Sequence, residues 1–205
     1  IIPDKPPFKL LDILYKKEFI LFVVLVSILI INSNISPYFL DLYNLIDSTF
    51  LFSEKAIIAL TMTFVIIARQ IDLSVASIIA VSSVVLGYTT SLGYDTWLVL
   101  LLTLLSGALC GAFNGAIITK FAIPSIIVTI GTMSLFRGLA YSFLEDSYYN
   151  KFPKLVGKLG GGYLYGYIPY AFLTFILLAF VFAFILHKTS VGKKIYSIGL
   201  SLIHI

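Results

Sequence analysis

The sequence predicts an all-α integral membrane protein that crosses the bilayer about six times. Its 205 residues are 60% hydrophobic and 12% charged, whereas a soluble domain has roughly 25% charged residues. The mean hydropathy is +1.04. A soluble exterior of this composition would be one continuous apolar patch. We therefore expect lipid to surround most of the chain, which excludes a soluble enzyme, a disordered tail, a nucleic-acid module and, with one cysteine, a disulfide scaffold.

Six apolar runs are candidates for membrane spans, because a helix needs ~20 residues to cross the hydrocarbon core. They cover residues 19–38, 55–68, 73–92, 97–119, 123–144 and 168–186. The second run is short for a span. Residues 36–53 before it are predicted to be an interfacial linker, since Pro37, Asp41, Asn44 and Asp47 interrupt the aromatic residues. A polar stretch, residues 145–167, carries the predicted glycine hinge 160–162.

Charge placement predicts that both ends of the chain are cytoplasmic. Residues 1–18 are expected to be a cytoplasmic segment and not a cleavable signal, because the apolar run that follows is too long. With the N-terminus inside, nine basic residues fall inside and four outside, as the positive-inside rule requires. The inside set is Lys5, Lys9, Lys16, Lys17, Arg69, Lys120, Lys188, Lys193 and Lys194. The outside set is Lys55, Lys151, Lys154 and Lys158, and the acidic pair Glu145 and Asp146 lies with it.

Polar side chains within the spans predict that spans two to five surround a polar path. Such groups cost free energy at membrane depth unless they face protein or water. The polar residues in or beside the spans are Asp72, Ser74, Ser77, Asn114, Thr129, Thr132, Ser134 and Arg137. The candidates for the transport path or for gating are Asp72, Ser74, Asn114, Thr129, Thr132 and Arg137.

Simpler structural roles compete with this interpretation. Asp72 is equally well placed to cap the third span, and Asn114 to bond the backbone of a neighbouring helix. Arg137, fourteen residues or about 21 Å into span five, can reach the outer interface or pair with Glu145. A set of small residues at every fourth position of span four predicts a helix-packing seam. These are Gly107, Gly111 and Gly115.

No residue pattern predicts catalysis, a metal or a cofactor. His187 and His204 are far in sequence from any cluster of Cys, Asp or Glu, so they do not indicate a metal site. The sequence has no phosphate-binding glycine loop before a lysine and no Ser/His/Asp grouping. We therefore expect a transport protein and not an enzyme.

Four sequence motifs carry a family resemblance. Residues 71–77, Ile-Asp-Leu-Ser-Val-Ala-Ser, resemble the Gly-Gly-Ile-Asp-Leu-Ser-Val-Gly-Ser signature of bacterial ABC-type sugar permeases, the ribose, galactose, rhamnose and autoinducer-2 group. Residues 114–115 and 123–132 are similar to the Asn-Gly and Ile-Pro-x-Phe-Ile-Val-Thr-Leu-Gly-Thr motifs, and Phe136-Arg137-Gly138 continues in register. Residues 189–199 resemble the family's block after the sixth span. The resemblance runs from about residue 56 to residue 199.

The sequence departs from the family pattern at two places. Ala68-Arg69-Gln70 replaces a glycine-rich approach to the signature, and Ala76 replaces a glycine within it. The family also continues past the position of Gly199 with further spans, whereas six residues follow here. We therefore expect residues 19–199 to be a partial permease domain and residues 200–205 to be a non-native or frameshifted tail.

The resemblance implies the permease subunit of an ABC importer that moves a simple sugar across the bacterial inner membrane. It implies three kinds of protein partner: a second permease subunit, cytoplasmic ATP-binding subunits that hydrolyse ATP, and a periplasmic sugar-binding protein. The subunit itself would lie in the lipid bilayer, and no nucleic acid is implied. A branched-chain amino acid ABC permease is one alternative, and it would be expected to carry a different block in place of Ile-Asp-Leu-Ser. An ion-coupled secondary carrier is the other. It would need an ionisable residue at mid-membrane, where Arg137 alone is predicted to lie.

Overall fold

A computed structural model of the protein describes residues 17–145 and 148–201. The chain divides into two compact units, with the boundary between Thr49 and Phe50. All the candidate functional residues belong to the second unit. Several predictions fall outside the described residues: most of the N-terminal segment 1–18, with Lys5, Lys9 and Lys16, then Asp146, and the tail beyond Ser201, with His204.

The first unit contains helix α1 (Lys17–Ile35) and the start of helix α2 (Leu42–Ile67). No residue of α1 is buried, as expected for a helix whose surroundings are lipid. Its two asparagines are satisfied within the helix, because the side-chain amides of Asn32 and Asn34 each donate to a carbonyl one turn earlier at 2.8 Å. The side-chain amides of these two asparagines therefore need no hydrogen-bond acceptor outside α1.

The predicted interfacial linker at residues 36–53 is wrong, because α2 begins at Leu42. The carboxylate of Asp41 accepts the N–H of Tyr43 at 3.1 Å and so caps the new helix. Asn44 donates from its amide to the carbonyl of Phe39 at 3.2 Å. Asp41 and Asn44, which suggested a break in the chain, thus form hydrogen bonds with backbone groups at the start of α2. Lys55 now lies midway along α2, so it no longer counts among the outside basic residues, and the comparison becomes nine against three.

The second unit is built around helices α3 (Val75–Ser91), α4 (Thr96–Phe121) and α5 (Ser125–Leu144). Helix α3 packs against both α4 and α5. Asp95 caps α4 by accepting the N–H of Trp97 at 2.9 Å, and Ala122, in the left-handed conformation with φ 52°, ends it. Pro124 directly precedes α5, where its missing N–H costs nothing. The two connections are short, so the three helices alternate in direction.

The polar stretch after α5 is more ordered than predicted. It contains helix α6 (Lys154–Gly161) and a two-stranded antiparallel hairpin, β1 (Tyr163–Leu164) and β2 (Ile168–Pro169). Gly160 and Gly161 are part of α6, and only Gly162 of the predicted hinge follows it. Helices α7 (Tyr170–Lys188) and α8 (Ser190–Ser201) complete the described chain.

The all-α polytopic membrane fold is confirmed. Five helices among the described residues are long and apolar enough to cross a membrane, namely α1, α2, α4, α5 and α7. Helix α3 is a shorter apolar helix of 17 residues, or about 25 Å. It begins two residues later than the third predicted span. Alone it is shorter than a hydrocarbon core of ~30 Å.

The predicted glycine seam of α4 is limited to one residue within the described chain. A Cβ added at Gly107 would lie 3.2 Å from Oγ of Ser82 on α3. A Cβ at Gly111 or Gly115 would meet no heavy atom within 4 Å among the described residues, and both glycines are exposed. The four-residue spacing correctly indicates a small-residue face, but α3 contacts only its first member.

Candidate functional site

The chain is not helical between α2 and α3, at residues 68–74, where the family-like signature begins. Helix α2 ends through two tight backbone bonds, from the N–H of Arg69 to the carbonyl of Ile66 at 2.9 Å and from Gln70 to Val65 at 3.0 Å. Arg69 has φ 55°, a left-handed conformation that glycine adopts more readily. The family's glycine-rich approach is therefore replaced here by an arginine in a glycine-like conformation.

Asp72, Ser74 and Asn114 form a chain of side-chain hydrogen bonds at the start of α3. Oδ1 of Asp72 accepts the backbone N–H of Ser74 at 2.8 Å and its hydroxyl at 2.6 Å. The side-chain amide of Asn114 on α4 donates to Oγ of Ser74 at 2.8 Å. Ser74 is fully buried and Asn114 is 4% exposed. The signature is thereby tied to α4, 40 residues away in sequence.

Two residues of α5 hold the same segment from the other side. The N–H of Ile71 donates to Oγ of Ser125 at 3.1 Å. The hydroxyl of Thr129 lies 2.8 Å from the carbonyl of Ser125 and 3.3 Å from the carbonyl of Ile71. Backbone groups without helical partners must be satisfied by other means at membrane depth. Asp72, Ser125 and Thr129 bond backbone groups of this segment, and Ser74 and Asn114 join them through side-chain hydrogen bonds. We call these five side chains the polar clamp.

The structural roles considered for Asp72 and Asn114 need correction. Ser74 occupies the N-cap position of α3 but makes no side-chain capping bond, and Asp72 accepts the N–H of Ser74 itself instead of an amide inside the helix. This is an Asx turn. Asn114 bonds a neighbouring side chain and not a helix backbone. The side chain of Ser74 links the two residues, because it donates to Asp72 and accepts from Asn114.

Asn114 also carries an unsatisfied acceptor. Its Oδ1 is buried and has no hydrogen-bond partner among the described residues. A buried polar atom without a partner costs ~1–3 kcal/mol, so such atoms are rare in folded proteins. Within the clamp, Asn114 is therefore the residue with spare hydrogen-bonding capacity.

The remaining candidates on α5 do not join the clamp. Thr132 is buried, one turn beyond Thr129, and its hydroxyl is 3.5 Å from the carbonyl of Thr129, a weak contact. Ser134 is exposed. Arg137 is exposed. It follows Ser125 by twelve residues, which is about 18 Å along the helix. The six predicted path residues therefore divide into a clamp, the adjacent Thr132 and a separate arginine.

Of the two structural alternatives for Arg137, the ion pair with Glu145 is not formed within residues 17–145 and 148–201, and its reach to the outer interface stays a prediction. Arg137 instead lines a cavity of about 380 Å³ between α3, α5 and residues 148–152. Its neighbours there are aromatic, chiefly Tyr141, Tyr148 and Tyr149. The described residues contain no group of three or more His, Cys, Asp or Glu that could hold a metal.

Sequence reasoning missed two residues of this region, Ser125 and Glu54. Ser125 belongs to the clamp, and the available signal was its place directly after Pro124 with Thr129 one turn later. Glu54 fell between the predicted linker, residues 36–53, and the second predicted span, residues 55–68, but it lies thirteen residues, or about 20 Å, before the end of α2. It lines a cleft of about 450 Å³ together with Asp72. Arg137 is therefore not the single ionisable residue within the long apolar helices, because α2 contains Glu54 and Lys55. This weakens the sequence argument against an ion-coupled carrier.

Several apolar helices, with polar side chains buried around a non-helical connection between two of them, define the class of a multi-pass membrane permease. Comparison with known proteins gives the family. Residues 44–203 match the family described as branched-chain amino acid transport system / permease component. The match covers most of the chain and includes the whole polar clamp, so the chain belongs to this family.

Curated relatives of the chain are named as import permeases. The chain is 35% identical over 143 residues to the autoinducer 2 import system permease protein LsrC of Escherichia coli O9:H4 (strain HS), covering 70% of the chain and 42% of the relative. It is 33% identical over 178 residues to LsrC of Photorhabdus laumondii subsp. laumondii, covering 85% and 53%. It is 32% identical over 182 residues to the ribose import permease protein RbsC of Haemophilus influenzae, covering 87% and 56%.

These relatives confirm the resemblance to sugar permeases that the motifs indicated. The chain spans about half the length of the curated relatives it matches. No solved structure matches it. The family match continues past Gly199 to residue 203, while the proposed foreign origin of residues 200–205 stays a prediction.

Proposed function

We propose that the protein is the membrane-spanning permease subunit of an ABC importer for a simple sugar or a related carbohydrate. The observation that carries the proposal is its identity of 32–36% with permeases named for ribose and autoinducer 2. The buried polar clamp supports it, because a protein that only anchors in lipid does not need side chains such as Asp72 and Asn114 at membrane depth.

The proposal divides the work of transport among several subunits in the bacterial inner membrane. A periplasmic sugar-binding protein delivers the sugar, two permease subunits form the path, and cytoplasmic ATP-binding subunits supply the energy. The support is that the matched family is described as a permease component of a transport system. The permease then needs only weak contacts with its cargo, because it must release it.

The polar clamp is the proposed gating element. The segment at residues 68–74 is held by side-chain hydrogen bonds from α4 and α5 instead of by helical bonds. Such bonds can exchange partners while the flanking helices remain intact, which is how short hinges absorb large backbone changes. Asp72, Ser74, Asn114, Thr129 and the adjacent Thr132 are assigned to this role.

An uptake experiment separates the proposal from its two alternatives. The gene that encodes this chain is expressed with its genomic neighbours in a bacterial strain lacking its own uptake of ribose, galactose, rhamnose and leucine. We expect radiolabelled sugar to accumulate and leucine not to. Leucine uptake alone would favour the branched-chain amino acid permease that the family description names. Sugar uptake that persists without the ATP-binding subunit would favour an ion-coupled carrier.

A topology experiment tests the orientation. Nine basic residues in the predicted inside segments and three in the outside ones support a cytoplasmic location for both ends. We expect alkaline phosphatase fused after Lys158 to be active and the same enzyme fused after Lys194 to be inactive, because it folds only outside the cytoplasm. Fluorescent protein fusions at the same positions should give the opposite pattern. Equal activity at both positions would contradict the orientation.

A further inference from the structure

The cavity beside Arg137 has the size and lining of a small-molecule site. Its volume of about 380 Å³ falls within the ~300–1,000 Å³ typical of ligand pockets. Small residues of α3, including Ala76 and Ser83, form one wall. Helix α5 and residues 148–152 contribute one guanidinium and four aromatic rings to the rest of the lining. The residues that supply them are Arg137, Tyr141, Tyr148, Tyr149 and Phe152.

One aromatic wall of the cavity depends on a glycine of α3. A Cβ added at Gly87 would lie 2.6 Å from Cβ and Cγ of Tyr149, closer than side-chain atoms approach in proteins. Gly87 is buried, and the ring of Tyr149 occupies the space that any other residue at position 87 would need. The absence of a side chain at Gly87 therefore lets Tyr149 lie directly against α3.

The cavity extends along α3 toward the polar clamp. Its lining on α3 runs from Ala76 to Val84, eight residues or about 12 Å of helix. Ala76 follows Ser74 of the clamp by two residues, and it also lines the cleft that contains Asp72. The cavity therefore leads from the aromatic residues 148–152, predicted to be on the outer side, to within one turn of the proposed gate.

The chemistry of the lining favours a polyhydroxylated molecule with a neutral ring. Aromatic side chains present apolar faces, and tyrosine adds a hydroxyl at the edge. Arg137 is exposed, forms no ion pair within the described residues, and carries five N–H donors. The described residues that line the cavity include no carboxylate, so they provide no counter-charge for the ammonium group of an amino acid.

We infer that this cavity is a carbohydrate subsite at the entrance to the permease, in which the tyrosines pack against the sugar ring and Arg137 and Ser83 bond its hydroxyls. The inference rests on the proposed function and adds the place at which the sugar first contacts the subunit.

Adjacent serines of α3 provide a matched test. Ser83 lines the cavity, whereas Oγ of Ser82 is 3.3 Å from Oγ of Ser106 at the contact with α4. Cys110 is first replaced by serine, and Ser83→Cys and Ser82→Cys are then made separately in the assembled importer in whole cells. A charged, membrane-impermeant methanethiosulfonate should label the cysteine at 83 much faster than the one at 82. A sugar at about ten times its Kd should slow that labelling about tenfold.

D-Ribose, D-galactose, L-rhamnose and leucine are the probes, each tested alone. Protection by a sugar that the cells also take up supports the subsite. Labelling at position 83 no faster than at 82, or no protection by a sugar that is transported, overturns the subsite and leaves the proposed function intact. Protection by leucine alone overturns the proposed function itself.

Tyr149 provides a second measurement that does not depend on cysteine chemistry. Tyr149→Phe keeps the ring and Tyr149→Ala removes it. Because an aromatic contact is worth ~0.5–1.5 kcal/mol, we expect alanine to raise the apparent KM for sugar uptake by up to about tenfold. Phenylalanine should change it little. Equal KM values for both variants, at equal membrane abundance, would contradict stacking on this ring.

Discussion

Alanine at Gly199 is expected to displace α8 from the end of α2 and to remove most of the functional protein from the membrane. A Cβ at this position would collide with the backbone carbonyl oxygen of Ile67. Unlike a side chain, a backbone carbonyl cannot rotate away. Overpacking costs ~1–3 kcal/mol, occasionally more, and a rigid backbone contact should place Gly199→Ala at or above the upper value.

The same substitution at Gly111 is the matched control. Both glycines are helical, but a Cβ at Gly111 meets no heavy atom within 4 Å in the described part of the chain. Alanine inside a helix is preferred to glycine by ~0.5–1 kcal/mol, so Gly111→Ala should be neutral or slightly stabilising. Membrane abundance and the Tm of the detergent-solubilised protein check both. Equal behaviour of the two variants would mean that α8 does not pack closely on α2.

The helices were predictable where an apolar run is bounded by a residue typical of helix ends, such as a capping carboxylate, a proline or a lysine. The predicted spans at 97–119, 123–144 and 168–186 differ from α4, α5 and α7 by two residues or fewer at each end, because Asp95, Pro124 and Lys188 mark their limits. Helix α2 was not predictable in this way. Asp41 and Asn44 are typical of turns, and only the structure reveals that their side chains satisfy the start of a helix.

The composition of the clamp was largely predictable, but its connections were not. Asp72, Ser74, Asn114 and Thr129 stood out because polar residues are costly within apolar runs. Their pairing depends on how α3, α4 and α5 pack, and Ser74 and Asn114 are 40 residues apart. Gly111 shows a related limit, because its spacing was recognised but the contact predicted for it is not found among the described residues. Spacing identifies the face of a helix on which residues lie, but it does not identify what that face contacts.

Two substitutions of Asp72 are expected to distinguish its role in folding from its role in transport, because asparagine removes only the charge and alanine also removes the hydrogen bonds. Oδ1 of Asp72 accepts both the N–H and the hydroxyl of Ser74. Asparagine keeps an oxygen in that position, so Asp72→Asn should retain both bonds without the charge. Alanine keeps neither and leaves a buried hydroxyl without its acceptor, which costs ~1–3 kcal/mol. We therefore expect Asp72→Ala to lower both membrane abundance and sugar uptake.

Asp95 is the control carboxylate, because it caps α4 through the N–H of Trp97 and lies outside the clamp. Loss of such a cap costs ~1 kcal/mol, so Asp95→Ala should reduce stability modestly, and Asp95→Asn should change neither abundance nor uptake. If Asp72 takes part in gating, Asp72→Asn should reach the membrane at near-normal levels and lose uptake per molecule. Normal uptake in Asp72→Asn would restrict its role to holding Ser74, and the hinge would then depend on the hydrogen bonds and not on the charge.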